Sequence, residues 1–170
     1  MSGLDLPGLL VFAGALLVAA ASPGPAIVAL VARVLGRGRE GAFAFAAGLA
    51  LGDVVWLTVA VLGLAVIAGT FHEIFLVIRY VGAAYLLYLA WKLWTAPAKA
   101  PEVTANLARE STPRLFLGGL ALTMGNPKVM VFYLALLPSL VDLLRVDALA
   151  YAELALAVCA ILAIVFAAYI

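Results

Sequence analysis

Polar positions in this chain come in clusters, and the stretches between clusters are almost continuously apolar. Cutting at the charged and proline-rich stretches leaves five segments, from Pro7 to Ala32, Ala42 to Ala68, Ile74 to Trp94, Leu115 to Leu140 and Ala148 to Ile170. Each approaches or exceeds the roughly 20 residues that a helix needs to cross a hydrocarbon layer about 30 Å thick. Runs that are apolar on every face lack the alternation of barrel strands, and in lipid the backbone must satisfy its own donors and acceptors. The pattern predicts an all-α, polytopic membrane helix bundle with five transmembrane helices. Ala19, Ala20 and Ala21 before Ser22 imitate a signal-peptide cleavage site. However, no Lys or Arg precedes the run and the apolar stretch continues to Ala32, so a retained first span is expected.

Composition strengthens this picture. Of 170 residues 68% are hydrophobic and 11% charged, and the mean hydropathy is +1.23. A water-soluble core is not this apolar. Ten Lys+Arg stand against nine Asp+Glu, scattered rather than striped, which speaks against a nucleic-acid partner. One cysteine, Cys159, among Ala, Val, Leu and Ile, reads as a packing residue and excludes an internal disulfide. With a single histidine, His72 in a short loop, the usual zinc ligand sets are excluded, and neither metal nor cofactor is expected.

Arg33, Arg37 and Arg39 follow the first span, and Lys92, Lys99, Arg109 and Arg114 lie at or between the third and fourth. The opposite side holds only Arg79 and, beside Asp142 and Asp147, Arg145. By the positive-inside rule the basic loops are cytoplasmic, the N-terminus is outside and Ile170 reaches the cytoplasmic face, where Trp91 and Trp94 also fall. Residues 96–114, rich in proline and charge, read as a cytoplasmic linker between a three-helix group, 1–95, and a two-helix group, 115–170.

Two spans are interrupted. Ser22-Pro23-Gly24-Pro25 and Gly125-Asn126-Pro127-Lys128 each place proline beside glycine deep in an apolar run, where the helical ladder cannot continue. Groups freed there must face protein or a wet cavity. Paired broken helices mark transporter binding sites, although simple proline kinks remain the plain alternative. Asp53 is central in the second span, where a carboxylate needs a partner or water. A direct or water-bridged interaction with Lys128, and a role in proton coupling, are expected; a structural ion pair or a neutral hydrogen-bonded Asp53 are the alternatives. Arg79 and Glu153 are near enough to span ends to snorkel. Gly41, Gly48 and Gly52 suit close helix packing. Tyr85 and Tyr88 fit either a cavity wall or an ordinary packing face.

Four features together resemble the LysE/RhtB family of bacterial amino-acid exporters over nearly the whole chain. They are Ser22-Pro23-Gly24-Pro25, the glycine-spaced span leading to Gly52-Asp53, Arg79 followed by Gly82-Ala83-Ala84-Tyr85-Leu86-Leu87-Tyr88, and Asn126-Pro127-Lys128. The resemblance implies an inner-membrane, proton-driven exporter of amino acids or small derivatives, built as a 3+3 inverted repeat. Here the sixth helix is absent, which leaves open a longer product or a second chain supplying the packing surface, and a homo-oligomer stays open as well. Ala26 also replaces a polar residue that the family often carries after the proline-glycine motif.

The expected site is a midplane cavity lined by Ser22, Pro23, Gly24, Pro25, Asn126, Pro127, Lys128 and Tyr85, holding a zwitterionic substrate. Its carboxylate would sit near half-helix amides or Lys128 and its ammonium near exposed carbonyls or Asp53, which exchanges a proton for substrate. An exporter of inorganic or metal ions would want more inward carboxylates, histidines or thiols than Asp53 alone. A non-transporting assembly subunit is the other alternative. No enzyme is expected, because Ser22 has no histidine within a span to activate it.

Overall fold

The computed structural model describes residues 6–64, residues 111–170 and scattered positions between 73 and 95. The described residues form no strand. Helix α1 (Leu6–Ala21) is followed after a short break by α2 (Pro25–Arg37). Helix α3 (Ala42–Val59) continues through a π-turn at Ala60–Leu64. In the second half come α4 (Thr112–Met124) and α5 (Pro127–Leu140), then a 3-10 turn at Leu143–Arg145, then α6 (Ala148–Tyr169). Within α5 the ladder widens into a π-turn at Phe132–Leu136, next to Pro138, which has no amide to offer the preceding turn.

Only α3 with its extension, Ala42–Gly63, and α6 are, among the described residues, single helices long and apolar enough to cross a membrane. The pairs α1–α2 and α4–α5 qualify when each is taken as one bent span, with bends of 51° and 54°. Four of the five expected spans are thereby described. Most of the third, including Arg79, and the linker at 96–110 lie outside the described residues, as does His72.

Among the described residues the tightest helix contact is between α3 and α4, and glycine makes it. A Cβ on Gly48 would run into the Phe116 carbonyl, and one on Gly119 into the Phe45 carbonyl. Each helix thus seats a glycine against the other's backbone. Along α3 the positions Gly41, Gly48 and Gly52 meet Leu115, Phe116 and Thr123 in that order, so the two helices run in the same direction. This is the close packing expected of small residues in lipid, where dispersion replaces the hydrophobic effect as the force between helices.

Helix α6 completes the core by packing on both α1 and α3. Its Leu154, Val158 and Leu162 are buried, whereas Leu156 and Ile164 are 70% and 67% exposed on the face left for lipid. Cys159, read above as a packing residue, lies on an exposed face of α6 instead, where a small, weakly polar thiol meets lipid at little cost. At one end of the bundle Arg39 donates from Nε to the Ile170 carbonyl at 3.1 Å. That end carries Arg37 and the turn into α3, and we refer to it as the arginine end. Towards the opposite end, the hydroxyls of Thr58 and Tyr151 share a 2.7 Å hydrogen bond between α3 and α6.

Candidate functional site

The two proline breaks meet. Lys128, in the first turn of α5, donates from Nζ to the Ser22 carbonyl at the end of α1, at 2.9 Å. The termini of broken helices leave backbone groups without intrahelical partners, and the two breaks treat theirs differently. At the first, two freed carbonyls are taken by distant side chains, Ala21 O by Tyr169 Oη at 2.9 Å and Ser22 O by Lys128, while Val18 O accepts both the Ser22 amide at 3.1 Å and its hydroxyl at 2.6 Å. On its other side, α2 opens at Gly24, which offers no side-chain cap to the first amides of that helix.

The second break caps itself. Asn126 is 4% exposed, and its side-chain oxygen accepts from the Lys128 amide at 3.1 Å. The Gly125 and Asn126 amides bond back to Ala121 and Thr123. Asparagine at this position is a favoured N-cap, and burial makes its amide a rigid part of the site.

Between the breaks is a cavity of about 480 Å³, its open side included. Its polar lining is Ser22, Gly24, Asp53, Asn126 and Lys128; its apolar walls include Leu16, Ile27, Phe132, Leu162 and Phe166. Apolar walls with a few convergent polar groups are typical of small-molecule sites. Asp53 is 7% exposed and reaches the cavity from α3, the helix held against α4. Of the direct or water-bridged interaction expected between Asp53 and Lys128, the described residues show no direct ion pair; the ammonium turns to the Ser22 carbonyl, with Asp53 still within electrostatic reach. Buried Tyr133 lies beside the Asp53 carboxylate but makes no hydrogen bond of full geometry.

Five of the nine residues expected at the site, Ser22, Gly24, Asp53, Asn126 and Lys128, therefore converge. Pro23, Pro25 and Pro127 do not line the cavity: their rings are exposed, and they act by ending a ladder rather than by contact. Tyr85 is half-buried with its ring 6.2 Å from that of Tyr88 and is not among the described lining residues. The walls Phe132, Leu162 and Phe166, and the buried Tyr133, were not anticipated. Tyr133 carried a readable signal, since a lone hydroxyl in an apolar run five residues after Lys128 has to find a partner.

Comparison with known proteins places the chain among membrane translocators. Residues 17–170 match the family model described as LysE type translocator. Leucine efflux proteins of Salmonella typhimurium and Salmonella typhi are each 31% identical over 120 residues, covering 71% of this chain and 57% of theirs. An uncharacterized membrane protein of Synechocystis is 31% identical over 143 residues, 84% of this chain and 67% of that one. The chain thus spans less than two thirds of the leucine efflux proteins. No solved structure matches it. A bent, multi-helix membrane chain matched by the family model from within α1 to its last residue belongs to the LysE type translocator family.

Proposed function

We propose that this chain carries the substrate path of an inner-membrane exporter of amino acids with aliphatic side chains, driven by proton antiport through Asp53. The observation that carries the reading is a nearly buried carboxylate in a cavity that is apolar except where two helix breaks meet. A zwitterion fits that distribution. Its ammonium is drawn to Asp53, and its carboxylate to the uncapped start of α2, where Ala26 and Ile27 line the cavity, and to the remaining donors of Lys128. Leu16, Ile27, Phe132, Leu162 and Phe166 offer an aliphatic side chain an apolar surface without a competing polar group. The relatives named as leucine efflux proteins support the same class.

Protonation of Asp53 removes the charge that holds the ammonium, so proton entry on the outer side releases substrate and proton loss on the inner side restores binding. The contact between Arg39 and Ile170 gathers the basic end of the bundle, which the positive-inside rule makes cytoplasmic, with the start of α1 outside.

The test is leucine transport by the chain reconstituted in vesicles under an imposed pH gradient. Asp53→Asn is expected to abolish gradient-driven movement. Full gradient-driven transport by this variant removes Asp53 from the coupling step.

A further inference from the structure

Three buried side-chain polar atoms among the described residues lack a hydrogen-bond partner: Trp56 Nε1, Thr123 Oγ1 and Tyr133 Oη. All three belong to residues on α3 or associated with it, near Asp53 in the chain or in space. Thr123 packs on Gly52, Tyr133 lies beside Asp53, and Trp56 is one turn along from Asp53. None of them lines the cavity, whereas Asp53 does. The carboxylate therefore lines the cavity while having buried Tyr133, which does not line it, beside it. Buried polar groups without partners are rare enough that each calls for an explanation.

Tyr133 is the best placed of the three. It is fully buried, on the π-turn of α5, and the widened ladder there sets its ring apart from the regular helical register. Helical side chains lean towards the N-terminus of their helix, which tilts this ring back along α5 towards the level of Lys128 and Asp53. The π-turn also packs against the π-turn that extends α3, so both helices carrying the pair depart from regular geometry at the same level.

We propose that Tyr133 is a positioning residue for Asp53: its phenol donates to the ionised carboxylate from outside the cavity and holds it in the orientation that meets the substrate ammonium. The proposal rests on the reading of Asp53 as the coupling group. The phenol keeps its own proton throughout. Once Asp53 is protonated it is a weaker acceptor, the hold slackens, and the carboxyl is free to turn from the cavity. The titratable groups facing the pair are few. Lys128 comes from α5, Cys159 on the exposed face of α6 is within electrostatic reach of Tyr133, α1 has no charged residue, and the only charged residue on α4, Arg114, is in its first turn.

The experiment compares wild type, Tyr133→Phe, Asp53→Asn and the double variant, reconstituted in vesicles. Leucine counterflow at equal pH reads the substrate site alone; accumulation under a pH gradient reads coupling. Tyr133→Phe is expected to raise the half-saturating leucine concentration in counterflow several-fold and to lose about tenfold in gradient-driven accumulation, the scale of one hydrogen bond to a charged group. If Asp53→Asn abolishes gradient drive and Tyr133→Phe leaves both assays at wild-type levels, the positioning role is overturned and the coupling role stands. If Asp53→Asn itself keeps gradient drive, the coupling reading has failed first. Thermal unfolding in detergent gives an independent arm: the shift caused by Tyr133→Phe should be present in the wild-type background and absent in the Asp53→Asn background. An equal shift in both backgrounds, or failure of Tyr133→Phe to fold in both, overturns the proposal, because the hydroxyl then acts without the carboxylate.

Discussion

The two helix breaks look alike as strings of letters, each a glycine and a proline beside a small polar residue, yet they are built in opposite ways. The break after α1 relies on distant groups: Lys128 and Tyr169, from α5 and the end of α6, hold its carbonyls, and the start of α2 is left uncapped beside the cavity. The break before α5 is satisfied locally by Asn126 and by backbone bonds within a few residues. An end with open donors can receive a ligand, whereas an end that caps itself serves as a support. On the function proposed above, the first break would serve recognition and the second would aim Lys128.

Substitutions that remove the long-range holds should separate the two roles. The largest effect is expected at Lys128→Met, which frees the Ser22 carbonyl and removes the positive charge lining the cavity. A hydrogen bond from a charged group is worth about 1.5 to 3 kcal/mol, so the half-saturating leucine concentration in counterflow should rise roughly tenfold to a hundredfold. Unchanged saturation would remove Lys128 from recognition. Next, Asn126→Ala should cost about 1 to 2 kcal/mol of stability as a lost helix cap. This would be seen as a lower unfolding temperature in detergent, with binding impaired only through the displaced Lys128. If it weakens binding as much as Lys128→Met without lowering stability, the support role is wrong. Tyr169→Phe removes a single neutral hydrogen bond at an exposed position, so about 0.5 kcal/mol is expected in the same unfolding assay. Ser22→Ala should do least, about a few tenths of a kcal/mol, since its hydroxyl bonds only one turn back in its own helix. A larger loss at Ser22 than at Tyr169 would reverse the ranking of local and long-range holds.

How far the sequence could be read follows from the solvent it is made for. Span positions, both breaks and the isolation of Asp53 were legible because lipid penalises charge and broken ladders wherever they occur, and that penalty is local. Facing was not legible. Helices α1, α3 and α6 are apolar on nearly every side, so their periodicity does not say which side meets protein. Tyr85 was therefore expected in the cavity wall, while Phe132, Leu162 and Phe166, each one apolar letter among many, went unnoticed. The choice of Ser22 O as acceptor for Lys128 depends on a meeting across 106 positions of chain, which no local pattern encodes.

The glycine seam between α3 and α4 has a mechanical consequence. Two backbones seated against one another at Gly48 and Gly119 resist sliding or twisting, because either motion drives a carbonyl into the opposing chain. Asp53 rides on this stiff pair as on a keel. In the transport cycle proposed above, rocking would fall to helices outside this pair, with the acid as the fixed point.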